Sequence, residues 1–162
     1  MPVHEVECFR ADRLPASKGD EFVRQLKGQE GGLNRLTVEE YLENIANPKN
    51  RDKTAARLAR EAFEQTLRNR LQLEYSRIMD EVKAEATAKR EAKAIMRQLA
   101  GLHNPDLVAG GKDIIADFGD RQVNSSIGAQ WGKRIKGIKH MAEQIPIAER
   151  SSTFLNLKLT KC

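Results

Sequence analysis

The sequence lacks long apolar segments. No run of hydrophobic residues is long enough to span a membrane, and the first residues, MPVHEVECFRADR, lack the apolar core of a signal peptide. We therefore expect neither a transmembrane helix nor a membrane partner. If the chain leaves the cell that makes it, it does so by a route that reads no signal peptide, or as part of a longer chain.

Cysteine and aromatic residues are also scarce. Cys8 and Cys162 are the only cysteines, they stand near opposite ends of the chain, and two cysteines do not define a disulfide framework. No CxxC spacing typical of zinc sites occurs. Only 5% of the residues are aromatic whereas 31% are charged, a balance typical of a helix-rich protein with a large solvated surface. The formal net charge of +5 is a modest bias toward polyanions such as nucleic acids.

Glycine and proline are absent from Lys49 to Ala100. Good helix formers dominate this segment: alanine, leucine, glutamate, lysine and arginine. One unbroken helix would be about 75 Å long, roughly twice the width expected of such a domain. We therefore predict a bend or break at Ala84 to Lys89, where the only apolar residues are alanines. The segment is interpreted as scaffold; the alternative is a coiled-coil dimer, although the apolar stripe is short and rich in alanine.

Local capping signals predict helices on both sides of this segment. Ser17 is a predicted N-cap for a helix over Lys18 to Gln29, which Gly31 and Gly32 would end. Thr37 and Glu40 have the capping-box spacing at the start of a helix that ends at Asn47-Pro48. The remaining predicted ends are a C-cap at Gly101 for the long segment, and a helix over Ile127 to Gln144 capped by Asn124, Ser125 or Ser126.

The two ends of the chain alternate between apolar and polar residues. Val3 to Phe9 alternates weakly, and Leu155, Leu157 and Leu159 share one side of a clearer alternation. Isolated strands are marginal, so we predict that the two segments pair in a small sheet. The predicted fold is mostly α: a single domain over residues 1–162 with one long, bent or broken helix and a small terminal β pair.

The stretch from Leu102 to Trp131 interrupts the helical pattern. In His103-Asn104-Pro105-Asp106, asparagine is a predicted N-cap and proline the first helical residue, so a phosphate could bind near this helix start. Histidine can take a proton from water near neutral pH, and aspartate can orient that histidine or bind a cation. These residue types predict hydrolysis of a nucleic-acid phosphodiester, with His103 and Asp106 as the catalytic pair.

A phosphodiester is anionic, so a metal ion or several cationic groups must offset the charge that builds in the transition state. The candidate oxygen ligands, which suit Mg²⁺, are Asp106, Asp113, Asp117 and Asp120. A His-x-x-Asp pattern alone is weak evidence, because a histidine at a helix start is more often a cap or a packed surface residue.

A second polar cluster follows from Gly119 to Trp131. Its bland interpretation is a polar loop and an ordinary helix cap. The functional interpretation is a set of groups that support the catalytic pair or bind phosphate: Asp120, Arg121, Asn124, Ser126 and Gln130. Basic residues on the following helix are candidate contacts to a DNA backbone: Lys133, Arg134, Lys136 and Lys139. We predict that the two helix starts face each other, with His103 and Asp106 within one pocket's width of Asn124 and Gln130.

The phrases HNPDLVAGG and GDRQVNSSIGAQW resemble the toxin domain of the polymorphic toxin type 15 family, and GQEGGLNRLTVEEYL at Gly28 to Leu42 resembles the N-terminal part of that family. The resemblance extends from about Phe22 to about Gln144. It implies a nuclease toxin of bacterial effectors, including type VI secretion effectors, whose DNase activity depends on an HxxD motif and a divalent metal. The motif corresponds to His103 and Asp106.

The resemblance also implies a cognate immunity protein, delivery by type VI secretion with a secretion adaptor or chaperone, and action in the cytoplasm of a target cell. In the producing cell the toxin would stay cytoplasmic, bound to its immunity protein. The resulting hypothesis is a DNase with His103 as general base, Asp106 as orienting group or metal ligand, and Mg²⁺ as cofactor. Two alternatives stay open: a toxin acting on RNA or NAD, and a non-catalytic helical interaction module.

Overall fold

Five α-helices and two small β-ribbons make up the computed structural model, which describes residues 1–162. The helices are α1 (Gly19–Leu33), α2 (Val38–Ala46), α3 (Lys53–Tyr75), α4 (Glu81–Gln98) and α5 (Arg121–Glu143). The strands are β1 (His4–Glu5), β2 (Leu99–His103), β3 (Ile115–Asp120) and β4 (Leu157–Lys158). This architecture confirms the predicted mostly α fold. No helix combines the length and apolar character that crossing a membrane requires.

The ends of the chain pair as predicted. Strands β1 and β4 are parallel, with His4 opposite Leu157, and a further bridge joins Phe9 to Lys161. Cys8 and Cys162 form a disulfide beside this bridge, a pairing that is possible from the sequence but that no sequence pattern supports. The terminal segments are thus held together both by hydrogen bonds and by a covalent link.

Helix α2 begins and ends where the sequence predicts. Thr37 Oγ1 accepts a hydrogen bond from the amide of Glu40 at 3.1 Å, while Glu40 Oε2 accepts from the amide of Thr37 at 2.9 Å. This reciprocal capping box satisfies two amides that the helix itself leaves free. Asn47, before Pro48, ends the helix.

Helix α1 differs from its prediction at both ends. It begins at Gly19, after a 3₁₀ turn over Ala16–Lys18 that includes Ser17, and no side chain caps it. It continues through Gly31 and Gly32 to Leu33 rather than ending before the glycines. At Gly32, but not at Gly31, another part of the chain packs closely against the helix backbone.

The long segment is broken, but not where we predicted. Helices α3 and α4 form an antiparallel hairpin whose turn lies at residues 76–80, and Asp80 caps α4 by accepting from the amide of Lys83 at 3.0 Å. The predicted break region lies within α4, where Ala84 and Ala88 are fully buried. Their small side chains permit close packing of the hairpin rather than marking a weak point.

The region after α4 also corrects the sequence prediction. Gly101 is not a helix C-cap, because α4 ends at Gln98 and Gly101 lies in β2, which pairs antiparallel with β3. Helix α5 begins at Arg121, six residues before the predicted start at Ile127. Its cap is Asp120, whose carboxylate accepts from the amide of Val123 at 3.0 Å, instead of Asn124, Ser125 or Ser126.

Two separate apolar clusters stabilise the fold. The larger one joins α1, α2, α5 and the terminal strands around Phe9, Phe22, Tyr41 and Trp131. The smaller one lies inside the α3–α4 hairpin and contains Leu67, Leu71, Ala88, Ala92 and Met96. The β2–β3 ribbon borders the smaller cluster, since Phe118 stacks on Phe63 of α3 with ring centroids 4.6 Å apart.

Candidate functional site

His103 ends strand β2, and its ring is paired with a carboxylate ten residues further along the chain. His103 Nε2 lies 3.0 Å from Asp113 Oδ1, and the two side chains are only 10% and 19% exposed. The other oxygen of Asp113 accepts a hydrogen bond from the amide of Asp52, the N-cap residue of α3. The Asp52 amide and the His103 ring lower the pKa of the Asp113 carboxyl, so this group is ionised at neutral pH.

The carboxylate that contacts the His103 ring is therefore Asp113 and not Asp106. The orienting role that the sequence assigned to Asp106 is corrected by this geometry. The sequence predicts Asp113 only as a metal ligand, because a spacing of ten residues across a loop has no local signature. Its role becomes visible only when β2 and β3 are paired.

Asp106 occupies the loop between β2 and β3. Its amide donates to Gln29 Oε1 at 3.1 Å, and its Oδ1 accepts from the amide of Val108 at 3.1 Å. Asp106 thereby caps a single 3₁₀ turn over Leu107–Ala109, not the short α-helix begun by Asn104 and Pro105 that the sequence predicted. Gly110, in the left-handed conformation at φ 95°, ends this turn.

The second carboxylate oxygen of Asp106 faces helix α5. A Cβ atom added to Gly128 would lie 3.2 Å from Asp106 Oδ2, so the glycine gives this carboxylate room. A close approach thus accounts for a glycine inside the helix at Gly128, whereas a Cβ atom added to Gly132 would meet nothing within 4 Å. Asp106 has one oxygen that is not used by the loop itself.

Buried Gln29 of α1 connects the loop between β2 and β3 to helix α5. Its Oε1 accepts from the Asp106 amide and, at 3.0 Å, from Trp131 Nε1. One side-chain oxygen of α1 therefore joins the loop to α5. Sequence reasoning missed this residue, although it lies in the GQEGG segment that carries part of the family resemblance.

Glycines of α1 let the loop approach the helix backbone. A Cβ atom on Gly32 would lie 2.2 Å from the carbonyl oxygen of Asn104, and one on Gly28 would lie 2.9 Å from the Asn104 side-chain nitrogen. Within the loop, a Cβ atom on Gly111 would lie 2.0 Å from the carbonyl oxygen of Pro105. The position of His103 and Asp106 thus depends on three residues without side chains.

Two members of the second polar cluster have structural partners. Asp120 caps α5 and forms an ion pair with Lys18 at 2.9 Å. Burial opposes ionisation of Asp120, but the Val123 amide and the Lys18 ammonium outweigh it and lower the pKa of the carboxyl. Arg121 donates to the carbonyl of Leu99 at 3.0 Å. Both side chains hold the start of α5 against its neighbours.

The remaining members of that cluster divide between two faces of α5. Gln130 exchanges hydrogen bonds with the amide and carbonyl of Arg10 at 2.8 and 2.9 Å and also donates to the Ser126 carbonyl. It lies two residues beyond Gly128, about 200° around the helix. Asn124 lies one turn before Gly128, on the face that Asp106 approaches, and its side chain makes no hydrogen bond within the chain. Of these residues, only Asn124 is placed by its helix position on the face of α5 that Asp106 approaches.

Three of the four predicted DNA contacts lie on the exposed surface of α5: Lys133, Lys136 and Lys139. Arg134 is the exception, since its side chain is only 5% exposed. It donates to the carbonyls of Glu7, Cys8 and Gln130, and its guanidinium stacks over the Phe9 ring at 4.3 Å. Arg134 therefore stabilises the N-terminal segment, and its assignment as a DNA contact is corrected.

The four candidate aspartate ligands do not converge on one point. Asp113 contacts His103, Asp106 faces α5, Asp117 pairs with Arg24 at 2.6 Å, and Asp120 pairs with Lys18. No group of three or more histidine, cysteine, aspartate or glutamate side chains is arranged to hold a metal ion. A metal bound near Asp106 would therefore need ligands other than three such side chains.

A charged network attaches β3 and the start of α5 to α1. Glu21 Oε1 accepts from Arg24 Nη2 at 2.8 Å, from Gln25 Nε2 at 2.7 Å and from the Asp120 amide at 3.1 Å. These contacts surround Gly119, where any side chain would collide with Arg24 and Glu21. The hydrogen bond from Arg24 is the main reason that the pKa of Glu21 falls from 4.5 to about 2.

This network predicts a specific loss of stability in acid. Because the folded-state pKa of Glu21 lies below its ordinary value, its contribution is complete above about pH 4.5 and is lost as the pH falls toward 2. We expect Glu21→Gln to lower the free energy of urea unfolding at pH 7, and the deficit relative to the native chain to shrink between pH 4.5 and 2. Glu39→Gln, at an exposed carboxylate of α2, is the control. A deficit independent of pH would contradict the assignment.

The three segments that resemble the toxin family meet at this site. Gly28 to Leu42 supplies the glycines and Gln29, the HNPD loop packs against them, and Gly119 to Trp131 supplies the facing surface of α5. The family model described as Novel toxin 15 matches residues 16–160, which include every one of these contacts. A comparison with curated proteins found no match to the chain. Since the family model covers nearly the whole sequence, the chain belongs to the Novel toxin 15 family of polymorphic toxin domains.

Proposed function

We propose that this toxin domain is a metal-dependent DNase that hydrolyses phosphodiester bonds of target-cell DNA. The observation that carries the proposal is the His103–Asp113 pair, a largely buried imidazole held by an ionised carboxylate on the same loop as Asp106. A positioned histidine with a carboxylate partner is a common arrangement for activating water.

The roles of the two ring nitrogens follow from this pair. With Nε2 directed at Asp113 Oδ1, Nε2 carries the proton and Nδ1 has the free lone pair. In the proposed reaction Nδ1 takes a proton from water, the water oxygen bonds to phosphorus, and the bond to the leaving oxygen breaks. Asp113 stabilises the imidazolium that forms. The leaving oxygen takes its proton from solvent.

Asp106 is the proposed ligand for Mg²⁺. Its Oδ2 is the oxygen that the loop leaves free, and Mg²⁺ is often bound through one or two carboxylates together with water and substrate phosphate. Because no third acidic or histidine ligand lies nearby, we propose that the metal is retained only together with substrate. When bound, it would offset negative charge on the phosphate.

The exposed surface of α5 is the proposed track for the DNA backbone. Lys133, Lys136 and Lys139 project from it, and Lys139 is only loosely paired, 3.7 Å from Glu143. The net charge of +5 favours the same class of partner. Binding that rests on phosphate contacts should weaken as salt is raised.

The biological setting is proposed from family membership. Delivery would follow a signal-peptide-independent route, most simply type VI secretion with an adaptor or chaperone, and the toxin would act in the cytoplasm of the target cell. A cognate immunity protein would hold it inactive in the producer. An acidic immunity protein suits the positive net charge of this chain.

The test is incubation of the purified chain with plasmid DNA, total RNA and NAD in separate reactions, each with Mg²⁺ and with EDTA. We expect plasmid degradation that EDTA abolishes. Intact plasmid would refute the DNase proposal, and consumption of RNA or NAD alone would identify the alternative substrate. A chain that arrests growth without degrading any of the three would support a non-catalytic interaction module.

A further inference from the structure

A cavity adjoins the HNPD loop, residues 103–106, on the side of Asn104. It has a volume of about 240 Å³ and lies between the end of α1, the start of α2 and the beginning of β3. Its lining includes Arg35, Glu40, Asn104, Pro105, Lys112 and Ile114. Neither His103 nor Asp106 lines it, so it is distinct from the proposed catalytic pair while sharing the same loop.

Both cations of this cavity have free donors. Arg35 Nε donates to the carbonyl of Gly31 at 3.0 Å, which fixes the side chain, and its two terminal nitrogens make no hydrogen bond or ion pair within the chain. Lys112 is exposed and forms no ion pair. A guanidinium anchored through Nε presents its remaining N–H groups in a planar fork, which matches two oxygens of a phosphate.

Glu40 is the only carboxylate in the lining, and one of its oxygens already accepts hydrogen bonds. One oxygen accepts from the amide and hydroxyl of Thr37 at 2.9 and 3.3 Å in the capping box of α2. The Thr37 amide is the main cause of its lowered pKa, and the charge of Lys112 adds to the effect. The cavity therefore contains two cationic heads with unused donors against one carboxylate that already has a structural role.

We propose that this cavity binds a phosphate of the nucleic-acid strand adjacent to the phosphate that is cut. Arg35 donates to the bound phosphate through two N–H groups, and Lys112 contributes a second positive charge. The shared loop connects the two places, because Asn104 and Pro105 line the cavity and are flanked by His103 and Asp106. Lys112 likewise precedes Asp113, the partner of the His103 ring. The inference rests on the proposed nuclease function and adds a residue pair that positions the strand.

The test measures binding separately from cleavage. A short fluorescent DNA duplex is titrated with the full chain carrying His103→Ala, without metal, at several salt concentrations. Adding Arg35→Gln or Lys112→Gln should weaken binding and reduce the magnitude of the slope of log K against log salt by about 1 for each substitution. Arg90→Gln and Lys89→Gln, which remove exposed cations of α4 with the same change of charge, are the matched controls.

Steady-state kinetics distinguish a role of Arg35 in holding the DNA strand from a loss of folded structure. In the active chain, Arg35→Gln should raise KM for DNA with little change in kcat, because the interaction is made equally in the ground state and the transition state. Arg35→Lys should recover most of the salt slope but only part of the affinity, since it keeps the charge and loses the fork. Thermal unfolding of each variant shows that the fold is retained.

The outcomes separate the two proposals. A double variant, Arg35→Gln with Lys112→Gln, that binds DNA with the affinity and salt slope of the α4 controls would overturn the cavity assignment. Inorganic phosphate that shifts NMR signals of the cavity residues, without a change in DNA binding between variants, would restrict the site to free anions and also overturn it. If the native chain does not cleave DNA but the Arg35 and Lys112 variants change the salt slope as expected, the nuclease proposal fails. The cavity is then still a binding site for a DNA phosphate.

Discussion

Substitution of His103 by alanine is expected to lower the rate of plasmid cleavage by about 10²- to 10⁴-fold, the range typical for removal of a positioned general base. Nδ1 is the ring nitrogen left free by the contact with Asp113, and alanine removes it altogether. Substrate binding should change little because His103 does not carry the phosphate contacts. The measurement is initial rate at saturating DNA with Mg²⁺.

Two further variants locate the partner of the ring. Asp113→Asn should cause a loss approaching that of His103→Ala, because an amide no longer stabilises the imidazolium. Asp106→Asn should instead reduce the affinity for Mg²⁺, so that added metal recovers part of the rate. His140→Ala, at an exposed histidine of α5, is the matched control. Full activity in His103→Ala would place the chemistry elsewhere, and full activity in Asp113→Asn would remove Asp113 from the mechanism.

Substitution of Gly32 by alanine is expected to damage both the stability of the fold and the cleavage of DNA. The added methyl would lie 2.2 Å from the carbonyl oxygen of Asn104, so the loop must move away from α1. Overpacking of this kind typically costs about 1–3 kcal/mol of unfolding free energy. A shift of about 1 Å in catalytic groups can reduce the rate by about 10²-fold. We therefore expect both lower stability in urea and a large loss of cleavage.

Gly132→Ala is the control for this effect. Gly132 also lies inside a helix, but a Cβ atom there would meet nothing within 4 Å. Alanine should therefore stabilise the fold by about 0.5–1 kcal/mol through its higher helix propensity. If Gly32→Ala were as stable and as active as Gly132→Ala, the close packing of the loop on α1 would not hold the site.

Local signals explain which elements the sequence predicted well. The capping box of Thr37 and Glu40 involves residues three apart, so the start of α2 can be recognised from the local sequence. The alternating termini indicated strands because burial of Leu155, Leu157 and Leu159 leaves a pattern of period two. In contrast, the small alanines of α4 suggested a weak point, although their small size lets α3 approach.

The site was harder to predict because its decisive contacts are long-range. The sequence places Asn104 and Pro105 in a helix-start pattern, but pairing of β2 with β3 turns this region into the end of a hairpin. That pairing brings Asp113 to His103 across ten residues. The local sequence predicts that α1 ends at Gly31 and Gly32, since nothing in it shows that a loop more than seventy residues away packs on Gly32.

The division of the fold into two apolar clusters affects how the site is maintained over time. The α3–α4 hairpin has its own core, and elements of this kind can open as a cooperative unit at a lower free energy than global unfolding. Asp113, however, depends on the amide of Asp52 at the start of α3. Each opening of the hairpin would release one of the two contacts that fix this carboxylate. In a molecule whose hairpin is open, the His103–Asp113 pair would therefore lack the support of the Asp52 amide.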